Sequence, residues 1–227
     1  MKLSISTNHT ENMLGYCYLA FYQIFLPSLL GIGAAVLGGI SPSLLNIIFF
    51  TINFVAVAII FRRFLWKSVL ALRGNWKRCL TSTAMGLGVY FAGMFLISLM
   101  IPWIDPNFSN VNDDTILELT QEYKVPLGVC IVLLVPVVEE TLFRGLVFRH
   151  LFEKDSRLGY LVSMAVFSLI HIVGYIGTTD FRTLLLCFIQ YIPAGFALAG
   201  AYERAENICA PIATHMTINL IGFVFSR

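Results

Sequence analysis

Apolar residues run in long, nearly unbroken stretches along this chain, separated by short polar connections. Seven such stretches stand out, at about residues 19–40, 44–61, 80–101, 126–148, 158–177, 183–201 and 208–225. Each approaches the ~20 residues that a helix needs to cross the hydrocarbon of a bilayer. Continuous runs predict helices, because the strands of a membrane barrel read as segments of about ten alternating residues. The expected fold is therefore all-α, a polytopic transmembrane bundle of about seven spans with any functional site inside the bundle. Only Ser41-Pro42-Ser43 separates the first two stretches, a turn equally compatible with a re-entrant pair.

Composition sharpens this picture. Of 227 residues, 58% are hydrophobic and only 12% charged, where a soluble domain carries about 25% charge. No Lys/Arg cluster is interleaved with aromatic residues, which argues against nucleic acid as a partner. Cys17, Cys79, Cys130, Cys187 and Cys209 are scattered, odd in number and without a CxxC pair. They read as small apolar residues and not as a disulfide frame or zinc site. The first eighteen residues are too polar for a signal-peptide core.

The connections carry opposite charges. Residues 62–78 hold Arg62, Arg63, Lys67, Arg73, Lys77 and Arg78 with no acid, and residues 149–157 add Arg149, Lys154 and Arg157. Residues 102–125 hold Asp105, Asp113, Asp114, Glu118 and Glu122 against one base, Lys124. Basic loops stay in the cytoplasm, so the N-terminus is expected inside and the acidic connection outside. The localisation expected is an integral, multi-pass plasma membrane of prokaryotic type. The 62–78 segment reads chiefly as a basic loop, and its Trp66 and Trp76 also allow an interfacial helix.

Five ionisable residues lie inside the apolar stretches: Glu139, Glu140, Arg144, His171 and His215. An ionised side chain at mid-bilayer costs roughly 2.5–3.5 kcal/mol on insertion scales, so this set is improbable without a use. Counted from the basic ends of their spans, the two glutamates lie roughly 15 Å deep, His171 roughly 20 Å and His215 roughly 10 Å, at ~1.5 Å per residue. Three separate spans thus place polar groups in one depth band, between mid-membrane and the basic face.

Three motifs hold these residues. In Glu139-Glu140-Thr141-Leu142-Phe143-Arg144, Glu140 and Arg144 stand four apart and can pair on a helix. Glu139 points about 100° away and is free to act as a general base toward water. Pro136, just upstream, removes a backbone donor and can kink the helix. Phe167 and His171 share a second helical face. His215 and Asn219 share a third, where both can donate hydrogen bonds to an oxyanion.

In this order the set Glu-Glu-x-x-x-Arg, Phe-x-x-x-His and His-x-x-x-Asn, with Phe143-Arg144-Gly145, resembles the CPBP family. That family takes in the CAAX prenyl endopeptidases of the Rce1 type and the bacterial Abi and bacteriocin-immunity proteins. The likeness covers about residues 126–225, and it divides the chain into N-terminal spans (1–125) and a catalytic core (126–227). It implies an intramembrane endopeptidase cutting a peptide bond near the cytoplasmic side. A glutamate of the pair, Glu139 foremost, would activate water with His171. His215 and Asn219 would stabilise the oxyanion, Arg144 would order the glutamates, and Phe167 would lie against the substrate. The partners implied are the lipid bilayer and a peptide or lipidated protein: a lipidated C-terminus, a leader peptide or a pheromone.

Family members are often labelled metalloproteases, and Glu139, His171 and His215 are the set that would hold Zn²⁺. The chain has no His-Glu-x-x-His, and the same residues serve a mechanism that requires no cofactor, which is the preferred expectation. Two other classes compete. Intramembrane Glu and His are also the parts of a proton-coupled transporter, and a non-catalytic immunity or scaffold protein would keep the motifs as a structural network.

Overall fold

The computed structural model describes residues 3–225, apart from the side chains of Gln23 and Ile24. It is all-α; an isolated bridge between Ile176 and Thr179 is the extent of extended pairing among the described residues. Helices α1 (His9–Ala20) and α2 (Leu26–Val36) are joined by a π-helical turn, Phe21–Phe25, into one continuous rod. The rod stops where Gly38 and Gly39 take positive φ, which costs glycine nothing. Next come α3 (Pro42–Ile60), α4 (Arg62–Ile104) and the short α5 (Val111–Leu119). A second rod follows, of α6 (Lys124–Val129), α7 (Val135–Glu139) and α8 (Arg149–Phe152), interrupted by π-helical stretches at Cys130–Leu134 and Glu140–Phe148. The chain closes with α9 (Ser156–Ile172), α10 (Phe181–Ala205) and α11 (Cys209–Phe225).

Five helical stretches are long and apolar enough to cross a membrane: Pro42–Ile60, Arg62–Ile104, Lys124–Phe152, Ser156–Tyr175 and Phe181–Ala205. Leu26–Val36 and Cys209–Phe225 are shorter apolar helices. About half of the most apolar window of Lys124–Phe152 and of Phe181–Ala205 is buried in the bundle, against 6% for Arg62–Ile104. The first two are therefore the central elements, and α4 is an outer one whose Leu80, Phe95, Leu96 and Leu99 are exposed.

Three expectations about the connections change. The polar N-terminal tail is helical from His9, because Asn8 and Glu11 form a reciprocal capping box that satisfies two orphan N–H groups. Glu11 then buries its other oxygen, which accepts the Phe64 N–H at 2.9 Å, so one carboxylate caps two helices. Residues 62–78 are not a loop: they are the first turns of α4, with Trp66 and Trp76 on the exposed face. The acidic connection is likewise structured. Asn110 caps α5 by accepting the N–H groups of Asn112 and Asp113.

The bundle has two chemically distinct ends. At one, the Ser43 hydroxyl donates to the Leu119 carbonyl at 2.8 Å and Arg182 lies 4.0 Å from Asp105; this end carries the acidic connection. At the other, Arg78 pairs with Glu206 at 2.7 Å, the Ser4 hydroxyl donates to the Glu206 carbonyl and Tyr16 meets His150; this end carries the basic segments and the start of the chain. Residues of the N-terminal spans and of the core share one interior cluster, in which Tyr22, Val57, Phe61 and Phe64 pack with Val138, Leu142, Leu146 and Phe148.

Candidate active site

Pro136 shapes the helix that carries the first motif. Proline offers no N–H, and the preceding turn widens to π: the Val135 N–H reaches back to the Cys130 carbonyl. The Ile131 carbonyl is left without a helical donor, since Val135 bonds elsewhere and position 136 has none to give. Asn219 on α11 fills the vacancy, donating from Nδ2 at 2.9 Å. The motif itself lies in the second π-helical stretch, Glu140–Phe148. Such widened turns recur at functional sites.

Glu140 and Arg144 pair as their spacing predicts, Nη1 to Oε1 at 2.9 Å, with both side chains fully buried. The same carboxylate oxygen accepts His215 Nδ1 at 2.8 Å. Arg144 also donates from Nη2 to the Gly195 carbonyl at 3.4 Å, and its guanidinium lies 4.5 Å from the Phe167 ring centre. Glu140 is therefore held on two sides.

Glu139 is different. Its Oε2 is buried and makes no hydrogen bond, and it faces His215 Nε2 across 4.0 Å. A carboxylate can only accept, so the Glu140 contact fixes a proton on His215 Nδ1, and in the tautomer that carries this proton alone Nε2 is an acceptor. Two acceptors thus face each other over a gap too long for a direct hydrogen bond. The other side of Glu139 borders a cavity of about 20 Å³ shared with Tyr22 and Asn53, room for a single water.

His171 stands apart from the glutamates. Its Nδ1 lies 2.8 Å from the Phe167 carbonyl, which again leaves Nε2 as the lone-pair nitrogen. Its ring stacks on Tyr191 at 4.2 Å. Phe167 is 2% exposed and lies between the two imidazoles, 4.6 Å from His171 and 5.7 Å from His215. It is a packing residue as well as part of a wall.

That wall belongs to a cavity of about 240 Å³, lined by His171, His215 and Asn219 together with Asn110, Asp113 and Tyr191. The cavity lies toward the acidic end of the bundle, under α5. The apolar run was read to residue 177, whereas α9 ends at Ile172, so His171 sits at the far end of its helix. Toward the basic end, Leu142, Leu146, Phe148 and Tyr202 are all but fully buried, and a second cavity of about 580 Å³ lies between α4 and α10, lined by Arg78, Gly86, Ala201 and Arg204 among others.

Asn110, Asp113 and Tyr191 lie outside the three motifs. Asp113 was legible only as one acid of a connection, and Tyr191 only as an aromatic residue in a span. Among the described residues, no three His, Cys, Asp or Glu side chains are grouped closely enough to hold a metal ion. The set Glu139, His171 and His215 does not fit Zn²⁺ in this arrangement, since His171 faces Tyr191 and not the glutamates.

Residues 121–221 match the family described as Type II CAAX prenyl endopeptidase Rce1-like. The chain is 33% identical over 110 residues to the "Putative membrane peptidase YdiL" of Bacillus subtilis (strain 168), a stretch covering 48% of this chain and 40% of the relative. It is 29% identical over 90 residues to the "UPF0177 protein YxdF" of Lactococcus lactis subsp. lactis (strain IL1403), covering 40% of this chain and 44% of the relative. The matches thus span less than half the length of either relative. No solved structure matches the chain. Residues 121–221, which carry the paired glutamates, the arginine, both imidazoles and the asparagine, are thus similar to the Rce1-like family.

Proposed function

We propose that this protein is an intramembrane endopeptidase that hydrolyses a peptide bond with a water held between Glu139 and His215. The observation that carries this reading is the pair of facing acceptors, Glu139 Oε2 and His215 Nε2, 4.0 Å apart. A water donates one proton to each and is thereby held with its lone pairs turned outward. His215 also lines the larger cavity, so the same water borders the space that a peptide would occupy.

In the reaction, the water oxygen forms a bond to the peptide carbonyl carbon while Glu139 takes its proton. The tetrahedral oxyanion then collapses, the C–N bond breaks, and the proton passes from Glu139 to the leaving nitrogen. Asn219 Nδ2 spends one N–H on Ile131 and keeps its second N–H for the oxyanion. His171, across the cavity wall, holds the peptide by its free Nε2. Glu140 and Arg144 do not enter the chemistry: Glu140 orients His215, and Arg144 neutralises Glu140.

The experiment is a comparison of peptide C-termini and leader fragments between cells with the intact protein and cells with Glu139→Ala, followed by assay of the purified protein on a fragment so identified. Loss of cleavage in Glu139→Ala with normal folding supports the reading. Full rescue of a deletion phenotype by Glu139→Ala would instead assign a non-catalytic role.

A further inference from the structure

We infer that the cavity between α4 and α10 is a binding site for a membrane phospholipid, with its phosphate on Arg78 and Arg204 and an acyl chain along Met85, Val89 and Phe196. The site is separate from the proposed catalytic one: none of the motif residues lines it. Such a lipid binds whether or not the protein cuts a peptide bond.

The cavity measures about 580 Å³, within the range of about 300–1,000 Å³ that holds small molecules. Its floor is made of small residues, Ser82 and Gly86 on α4 and Ala197 and Ala201 on α10, all of them buried. Its walls are Met85, Val89 and Phe196, each large, apolar and exposed on the outside of the bundle, where the neighbours in a bilayer are acyl chains. Gly200 keeps the groove open, since a Cβ there would meet only the Tyr160 hydroxyl, at 3.5 Å.

Arg78 and Arg204 stand just beyond the apolar runs 80–101 and 183–201, the level at which lipid headgroups lie. The two residues adjoin, with Arg78 Nε donating to the Arg204 carbonyl at 2.6 Å. The acids beside them are engaged, Glu206 by Arg78 at 2.7 Å and Glu203 by the Tyr160 hydroxyl. Among the described residues, the Arg204 guanidinium has no carboxylate partner, and Arg78 keeps both N–H groups of Nη1. A phosphate bridging the two guanidinium groups takes charge-assisted hydrogen bonds from both. Two acids beside two cations leave no net positive field, so the recognition is by directed N–H groups and by the apolar groove, and not by charge alone.

Ser82 is a second, independent observation. It is fully buried, it lines the cavity, and its hydroxyl has no hydrogen-bond partner, a state that native proteins rarely leave uncompensated. It lies one helical turn inward of Arg78, about 5.4 Å. In a glycerophospholipid the ester carbonyls come just inward of the phosphate, and the chains follow. Along α4 the residues Arg78, Ser82, Met85 and Val89 present a cation, a hydroxyl and then apolar surface in that same order. Helix α10, running the other way, repeats it from Arg204 through Gly200 to Phe196. A free phosphate ion would use only the outer end of this sequence.

The test uses the full chain, delipidated in detergent, with dioctanoyl phosphatidylglycerol as the probe. Binding is read by native mass spectrometry and by the rise in melting temperature on titration. The parent should bind the probe saturably at one site. Arg204→Ala should weaken that binding about tenfold, the loss expected of a hydrogen bond to a charged group, and Ser82→Ala about fivefold, that of a neutral one. Gly200→Leu fills the groove, leaves both arginines in place and should abolish binding with the lipid-free melting temperature unchanged. Where Gly200→Leu lowers that temperature, Arg204→Ala alone decides. No saturable binding by the parent, or an affinity unchanged in Arg204→Ala, overturns the site. Equal binding of a dioctanoyl galactosyl glycerolipid, which has the chains and esters but no phosphate, overturns it as well. Equal binding of soluble glycerol phosphate would make it a site for free phosphate and overturn the lipid.

Discussion

Removing the Glu140 carboxylate is expected to cost stability, and removing the Glu139 carboxylate to cost activity. Arg144 is fully buried, with Glu140 as its ion-pair partner at 2.9 Å and the Gly195 carbonyl as a weaker one at 3.4 Å. Glu140→Ala therefore strands a guanidinium in the bundle and takes from His215 Nδ1 its partner. Breaking one side of a buried pair costs about 3–5 kcal/mol. Replacing both members by apolar residues of similar size, Glu140→Leu with Arg144→Met, removes the stranded charge, and a pair so replaced is often neutral. The double variant should recover most of the loss, a coupling larger than the ~0.5 kcal/mol expected of independent sites. Glu139→Ala removes a carboxylate whose Oε2 has no partner and should leave stability unchanged while abolishing cleavage. Unfolding in mixed detergent micelles, followed by circular dichroism, measures all four proteins. A Glu140→Ala protein as stable as the parent, or a double variant no more stable than Glu140→Ala, would refute this account of the pair.

Four further outcomes rest on the same packing. Asn219→Ala leaves the Ile131 carbonyl without a donor, at a cost of about 1–3 kcal/mol; adding Pro136→Ala restores a backbone N–H beside it and should recover stability but not cleavage, which separates the two roles of Asn219. A Cβ at Gly195 would meet the Met164 Cα at 2.7 Å, so Gly195→Ala should force α9 and α10 apart at a cost of about 1–3 kcal/mol, read as a lowered melting temperature. Glu11→Ala removes the acceptor for the Asn8 and Phe64 N–H groups, and amide exchange should accelerate at both positions, with a loss of about 1–3 kcal/mol. Cleavage by the purified protein should survive exhaustive chelation; recovery only on addition of stoichiometric Zn²⁺ would move the chemistry to a metal.

The helical class was legible because long apolar runs have few other solutions in a bilayer. The Glu140–Arg144 pair was legible because a spacing of four is a local property of one helix. What spacing cannot show is which helix faces which. The resemblance implied that Glu139 and His171 act together on water; the fold puts His215 4.0 Å from Glu139 and stacks His171 on Tyr191, a matter of how α9 and α11 rotate against the central rod. The end of α9 was not legible either. Residues 173–177 continue the apolar run of α9, and only Gly177 at φ 92° with the turn around it shows that the helix has already stopped. Asn219's bond to Ile131 was hidden because it depends on a π-helical turn in another element. Glu11 gave a readable signal, an Asn three residues before a Glu, but it sat in a stretch too polar to be taken for part of the bundle.

The arginine and its carboxylate counter-ion sit one turn apart on the same rod, and that position bears on how the protein is made. A segment leaving the translocon carries both groups together, already neutralised, before any other helix is available to solvate them. Charge insertion at mid-bilayer costs roughly 2.5–3.5 kcal/mol per group, and this arrangement avoids it for two of the three. The remaining acid, Glu139, is the one whose solvation waits on assembly, so the completed bundle and the proposed base come into being in the same step.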